Sequence, residues 1–235
     1  MLNIGRYLDS LEKEVMKYRV PVVDLIGVQS RDSYRVLIAT ILSSRTKDEV
    51  TAEASARLFN HAPDIDRLVE IPAAEIRDLI YPVGFYKTKA VHLQQTARML
   101  KDTYRGVVPD TIEELVNLPG VGRKTANLVL AVAFDKPAIC VDTHVHRIMN
   151  IWGYVKTKTP LETEMALRKK LPRKYWKKVN RVLVAFGQGK CKPVAPHCDD
   201  CILESDCAKI NVVPRKISLT LKRDSILRES GKTDV

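Results

Sequence analysis

Apolar residues along this chain recur at three- and four-residue spacings and almost nowhere at alternate positions. Lys87–Tyr104 shows the pattern clearly, with Leu93, Ala97, Leu100 and Tyr104 in one stripe, the period of an amphipathic helix. The same period predicts helices over Ile4–Tyr18, Tyr34–Leu42, Asp48–Asn60, Asp64–Ile71 and Ala73–Ile80. Between the first two, Pro21 leads into an apolar link that reaches Gly27. Asp32 or Ser33 supplies the capping oxygen for Tyr34–Leu42, which is apolar on most faces and so belongs in a core. Pro72 suits a first helical turn, and Pro82 and Gly84 end that helix.

Asp110 with Glu113, or Thr111 with Glu114, forms a capping box for a helix that ends near Leu118, because Pro119 disfavours helix before it. Arg123–Phe134, Thr143–Trp152 behind Asp142, Pro160–Leu171 and Arg173–Phe186 complete the set. No alternating β-branched run bounded by turns appears, and no internal repeat. The expected class is all-α, with no parallel sheet. The Gly-x-Gly at 120–122 therefore does not mark a dinucleotide site, since no strand precedes it.

Composition narrows the function. The 235 residues suffice for one or two domains with a real core. A formal net charge of +11 favours a polyanionic partner, nucleic acid first and an anionic membrane second. No basic amphipathic anchor is evident, the apolar runs fall short of a membrane span, and the N-terminus lacks a signal pattern. A soluble, intracellular protein of the cytoplasm or nucleoid is expected. The basic, polar tail after Pro214 is expected to be partly disordered.

The chemistry concentrates between Leu118 and His144. Leu118-Pro119-Gly120-Val121-Gly122 is a short connection between two helices. Gly120 and Gly122 allow positive φ and close backbone approach. The free amides at the start of the next helix, with the positive end of its dipole, form an anion cradle that a DNA phosphate fits. Such a cradle positions a duplex without reading its sequence. A tight turn with ordinary glycine caps is the plainer alternative; the net charge and Arg123-Lys124 at the open end favour the cradle.

Lys124 sits in the first turn of that helix beside Arg123. The dipole and a neighbouring cation both disfavour a charged amine there, which suits a nucleophile working near neutral pH. A phosphate-contacting lysine fits the same position, and both readings stand at this point. Asp142 reads first as an N-cap, worth ~1 kcal/mol, that can keep its charge and face a cleft. His144 and His146 receive no role. Cys140 reads as a small buried apolar residue.

Cys191, Cys198, Cys201 and Cys207 follow the spacing Cys-x6-Cys-x2-Cys-x5-Cys on a proline-interrupted loop. Four thiolates suit a [4Fe–4S] cubane or tetrahedral zinc. Zinc sites usually pair two separated Cys-x2-Cys knuckles, and here one compact loop holds all four, which favours the cluster. Lys190 and Lys192 flank the first cysteine within reach of phosphates; plain solvation is the alternative.

In this order, the Leu118–Asn127 hairpin, Val141–His144 and the cysteine spacing resemble the endonuclease III family, helix-hairpin-helix DNA glycosylases with a C-terminal cluster loop. The resemblance covers about Asp32 to Cys207. It implies a six-helix barrel domain with the helix-hairpin-helix at 26–136 and an iron–sulfur domain built from 1–25 and 137–212. A basic tail occupies 213–235. It also implies a monomer that binds duplex DNA across the cleft between the domains and flips the damaged nucleotide into it. Lys124 is then the nucleophile and Asp142 the essential carboxylate. Leu118, Gly120, Val121, Gly122 and Arg123 form the DNA-gripping hairpin.

The implied activity is that of a bifunctional glycosylase and AP lyase. It removes oxidised pyrimidines through a lysine Schiff base and cuts 3′ to the site by β-elimination. Two positions depart from the bacterial pattern. Arg45 stands where a glutamine commonly fills the gap left by the flipped base. Phe85 stands where a leucine wedge is usual. Both are expected to enter DNA. A monofunctional mismatch glycosylase and a non-catalytic iron–sulfur DNA-binding or electron-transfer protein are the competing readings, and Lys124 argues against both.

Overall fold

The computed structural model describes residues 2–18, 21–30 and 32–215, and within them every regular element is helical. The tail expected at 213–235 lies, from 216 onward, outside the described residues. Helices α1 (Ile4–Val15), α2 (Val22–Ser30), α3 (Ser33–Ser43) and α4 (Asp48–His61) come first. The short α5 (Ile65–Glu70) and α6 (Ala73–Ile80) lead to the long α7 (Tyr86–Asp102). One turn of helix, α8 (Ile112–Leu115), precedes α9 (Arg123–Ala133). Then come α10 (Thr143–Ile151), α11 (Pro160–Lys170), a 3₁₀ turn (Arg173–Tyr175) and α12 (Trp176–Gly189).

The local start signals account for many of these boundaries. Asp32 caps α3 by accepting from the Tyr34 amide at 2.9 Å. Asp64 caps α5, Thr111 caps α8 and Thr159 caps α11, each taking an amide of the first turn. Of the two candidate pairs it is Thr111 and Glu114 that engage: the Glu114 amide donates to Thr111 Oγ1 at 3.3 Å, and the Thr111 hydroxyl donates to Glu114 Oε2 at 2.6 Å.

One expectation is overturned. The apolar link from Pro21 to Gly27 is α2. Its two adjacent valines and a glycine weaken helix propensity, but Val22 and Val23 pack on Val36 of α3, with Val132 of α9 beside them. A Cβ at Gly27 would lie 2.3 Å from Val132 Cγ1, so the glycine lets α2 lie close against α9. Tertiary packing overrides propensity here.

The buried apolar residues form two main clusters. The first draws on α3 to α9 and ends at Ala138. The second takes up at Ile139 and unites α10, α11 and α12 with α1, including Leu8, Leu11, Trp152 and Phe186. Full burial of each such side chain contributes roughly 1.5–3 kcal/mol. Polar links join the clusters close to the hairpin. Arg168 of α11 donates to Asn127 Oδ1 of α9 at 3.0 Å. The Asn180 amide of α12 donates to the Cys140 carbonyl at 3.3 Å.

Candidate active site and nucleic-acid interface

The hairpin places α9 with its N-terminus open. Gly120 has φ of +78°, the left-handed conformation that suits glycine. A Cβ there would stand 2.9 Å from His92 Nδ1. Gly122 differs from expectation: as N-cap of α9 it takes φ of −88°, which any residue adopts. A Cβ on Gly122 would meet nothing within 4 Å. The fold therefore needs glycine at 120 but not at 122, where the free space faces outward.

No side chain caps α9 and no acidic residue sits in its first turn. The leading amides of such a helix have no intrahelical partner and favour an anion. Leu118 and Val121 are buried in the first core, so their side chains hold the turn in place, and their amides are spent within it on the carbonyls of Leu115 and Leu118. Thr96 Oγ1 of α7 anchors the turn by donating to the Pro119 carbonyl at 3.0 Å.

Lys124 is exposed in the first turn of α9. Its neighbour Arg123 is tied down. The Arg123 guanidinium donates to both carboxylate oxygens of Glu164, with Nε–Oε2 at 3.0 Å and Nη2–Oε1 at 3.1 Å. Arg168 Nε reaches Glu164 Oε1 at 2.8 Å, and the Glu164 side chain is only 5% exposed. The +1 charge beside Lys124 is thus compensated, and Arg123 turns toward α11.

Asp142 is the N-cap of α10, accepting from the Val145 amide at 2.9 Å. Between it and α9 lies Cys140, fully buried, its thiol pushed far up by burial while Lys124 pulls it down and Asp142 pushes it up. His144 also feels both residues. Burial lowers its pKa, Asp142 opposes that, and Arg147 and Lys124 add to it. Lys124 and Asp142, 18 positions apart, thus act on the same two neighbours across the α9–α10 junction. The His144 ring lies against the backbone of α12, where a Cβ on Gly187 would come within 2.4 Å of Nδ1.

Arg45 and Phe85 come together although 40 positions separate them. Both are exposed and left-handed, with φ of 54° and 59°. The Arg45 guanidinium lies 5.4 Å from the centroid of the Phe85 ring. They line one cavity with Ile41, Lys89, His92 and Gly120, beside the hairpin turn. A larger cavity lies elsewhere: about 1140 Å³ opens between α10, the 155–158 turn and residues 192–213, and neither Lys124 nor Asp142 lines it.

The four cysteines of the loop are all free thiols lining one small cavity with Trp152 and Phe186. Burial pushes the thiols above their ordinary value, Cys201 to about 11. Backbone amides at Leu203 and Lys209 bond to Cys201 and Cys207. Arg147 of α10 reaches Cys191 Sγ at 3.7 Å and also bonds its carbonyl. Among the described residues no ready-made single-ion group of three His, Cys, Asp or Glu is present. Lys190 pairs with Asp200 at 2.8 Å, while Lys192 is exposed at the loop's edge.

Residues 38–173 match the model of the HhH-GPD superfamily base excision DNA repair protein. Endonuclease III of Thermotoga maritima is 46% identical over 200 residues, spanning 85% of this chain and 92% of that one. The chain belongs to the endonuclease III family within the HhH-GPD superfamily. Two solved structures of endonuclease III with DNA have the same fold. A trapped covalent intermediate is 36% identical, with a TM-score of 0.78 over 88% of this chain and 96% of that one. A non-covalent complex is 34% identical, with a TM-score of 0.79 over the same shares. The protein is a base excision DNA repair enzyme of the glycosylase and AP-lyase class.

Sequence reasoning missed two buried charges beside this site, Lys89 and Glu164. Both occupy inward positions of a helical stripe, Lys89 next to Ala90 and Leu93 and Glu164 next to Thr163 and Leu167. A charge in an apolar register was the available clue.

Proposed function

We propose that this enzyme removes oxidised pyrimidines from duplex DNA, with Lys124 as nucleophile and Asp142 as its carboxylate partner. The observation that carries this is the junction of α9 and α10. There an exposed lysine at an open helix N-terminus and an N-capping aspartate both act electrostatically on Cys140, which is buried, and on His144, which is half-buried. The covalent endonuclease III–DNA intermediate supports a covalent route. The target nucleotide must leave the stack, because its glycosidic bond is shielded in the duplex.

The Lys124 amine attacks C1′ as the glycosidic bond breaks, and the base departs with the bonding electron pair. Asp142 stabilises the cationic sugar of this step. Loss of the amine proton and ring opening give a Schiff base. Removal of a C2′ proton then expels the 3′ phosphate by β-elimination and cuts the strand. The amides of Gly122, Arg123 and Lys124 hold a backbone phosphate meanwhile. Arg45 and Phe85 enter the duplex, Arg45 filling the vacated place and Phe85 wedging the neighbouring step. Lys192 adds a phosphate contact at the edge of the cysteine loop, and Lys190, paired with Asp200, supports the same edge.

Cys191, Cys198, Cys201 and Cys207 hold a [4Fe–4S] cluster on this reading, with zinc as the alternative. Four free thiols lining one cavity, with backbone donors at two of them, fit such a group. A bound cluster would supply links that fold the loop, along with one-electron redox capacity. The two cores support a barrel domain and a cluster domain that part near residue 138, but α2 from Val22 onward packs on α3 and α9, so residues 22–25 go with the barrel and not with the cluster domain.

Borohydride reduction on an abasic-site duplex tests the mechanism. The wild type gives a covalent adduct, and Lys124→Ala gives none while still binding the duplex. An adduct that persists in Lys124→Ala rules out the nucleophile. Purified protein with an absorption band near roughly 400 nm supports thiolate-bound iron; colourless, zinc-loaded protein overturns the cluster.

A further inference from the structure

Lys89 lies on the inward face of α7 and is only 7% exposed. Its ammonium donates to the Leu42 carbonyl at 2.8 Å, the Ser44 carbonyl at 2.6 Å and Thr46 Oγ1 at 3.3 Å. All three acceptors are neutral, and burial alone lowers the amine's pKa, to about 8. Leu42 and Ser44 close α3, where the last carbonyls lack intrahelical donors and carry the negative end of the dipole. Lys89 is thus a C-terminal cap supplied by another helix.

The same contacts join two loops. Thr46 Oγ1, which accepts from Lys89, also accepts from the Gly84 amide at 3.1 Å. A Cβ on Gly84 would lie 2.4 Å from the Arg45 carbonyl, so the two backbones touch. Arg45 and Phe85 are the next residues of these loops, both held left-handed. Such conformations persist only where the surroundings over-determine them. Three and seven residues along α7, His92 and Thr96 contact Gly120 and Pro119 of the hairpin. One rigid helix therefore references the pair of loops and the phosphate cradle to each other.

We propose that Lys89 is a positioning residue that locks the Arg45 and Phe85 loops into one rigid wedge and so governs extrusion of the target nucleotide. This rests on the assignment of Arg45 and Phe85 as the residues that enter DNA. A methionine could fill the same volume, but it would remove the ammonium from the Leu42 carbonyl and leave the Ser44 carbonyl only the Thr46 hydroxyl at 3.3 Å, so the loops would be free to part. Arginine, with its broad planar fork, cannot reproduce a point charge that meets three converging acceptors.

The test compares wild type with Lys89→Met and Thr46→Val, the latter removing the shared acceptor while keeping the lysine. Single-turnover base release is measured on a duplex carrying thymine glycol. Strand cutting is measured at an abasic site in single-stranded DNA, which needs no wedge. Insertion is read from the fluorescence of 2-aminopurine opposite a tetrahydrofuran abasic analogue. Both variants are expected to lose about 10-fold or more in duplex base release, the scale of a small misplacement. They also lose the fluorescence rise, while single-strand cutting stays within about 2-fold of wild type.

Equal losses on both substrates, or none on the duplex, overturn the proposal. If Lys89→Met does not fold, Thr46→Val decides by the same criteria. Arg45→Ala and Phe85→Ala run alongside. If they release base at the wild-type rate, the wedge assignment falls and the proposal with it. If they fail while Lys89→Met and Thr46→Val do not, only the lock is wrong.

Discussion

Removing the Glu164 carboxylate is expected to destabilise the protein by about 2–3 kcal/mol. Glu164 is 5% exposed and is shared by Arg123 from α9 and Arg168 from α11, whose side chains are 41% and 25% exposed. Breaking a fully buried ion pair costs about 3–5 kcal/mol because a charge is left without a partner. Here both guanidiniums keep a route to water, so the cost falls just below that range. For a chain of this size each kcal/mol moves Tm by roughly 2–4 °C, so Glu164→Ala should melt about 5–10 °C lower. Urea unfolding gives the free energy, and a double-mutant cycle with Arg123→Ala isolates the pair, with about 1–2 kcal/mol of coupling expected. The same variant frees Arg123 to swing beside Lys124, so borohydride trapping should also slow. A loss below about 0.5 kcal/mol, or a cycle without coupling, would show that α9 is not held this way.

The hairpin glycines should separate fold from binding. Gly120→Ala forces a left-handed alanine against His92 and should cost about 1–2 kcal/mol of stability. Gly122→Ala, with φ of −88° and open space at its Cβ, should melt within about 1 kcal/mol of wild type. Its duplex binding should weaken about 10-fold, a misplacement-scale loss; unchanged anisotropy with an abasic-analogue duplex would remove Gly122 from the phosphate cradle. Asp24 gives a pH prediction. Burial raises its carboxyl from 3.8 to about 6, with Arg181 acting in the opposite direction. Between those values the folded state keeps a proton that the unfolded state has released, so this group lowers stability as pH rises through the window. Asp24→Asn should remove that loss, on the order of 2–3 kcal/mol between pH 4 and 7. Urea midpoints that differ by a constant amount at pH 4, 5 and 7 would contradict it.

The helices were legible wherever a stripe or a capping oxygen marked them. Asp32, Thr111 and Asp142 cap where their side chains and spacing place them, because an N-cap bond spans only two or three residues. The α2 helix was not legible, because its support comes from Val36 and Val132, far away in the chain. Gly122 was legible as a glycine but not in its conformation: φ depends on how the hairpin seats on α7, and only Gly120 is left-handed. Arg123 read as a cation facing DNA, yet Glu164, 41 positions on, claims it.

By itself the sequence determined what acts through neighbouring residues. That covers the all-helical period, the glycine turn that opens α9, the lysine in its first turn, the aspartate that caps α10 and the spacing of four cysteines. Tertiary structure decided where charges end up. Lys89 inside α7, Arg123 on Glu164 and Arg45 beside Phe85 each depend on partners about 40 or more residues away. A buried charge is tolerable only when such partners are in place, and no local pattern along the chain encodes which distant atoms will supply them.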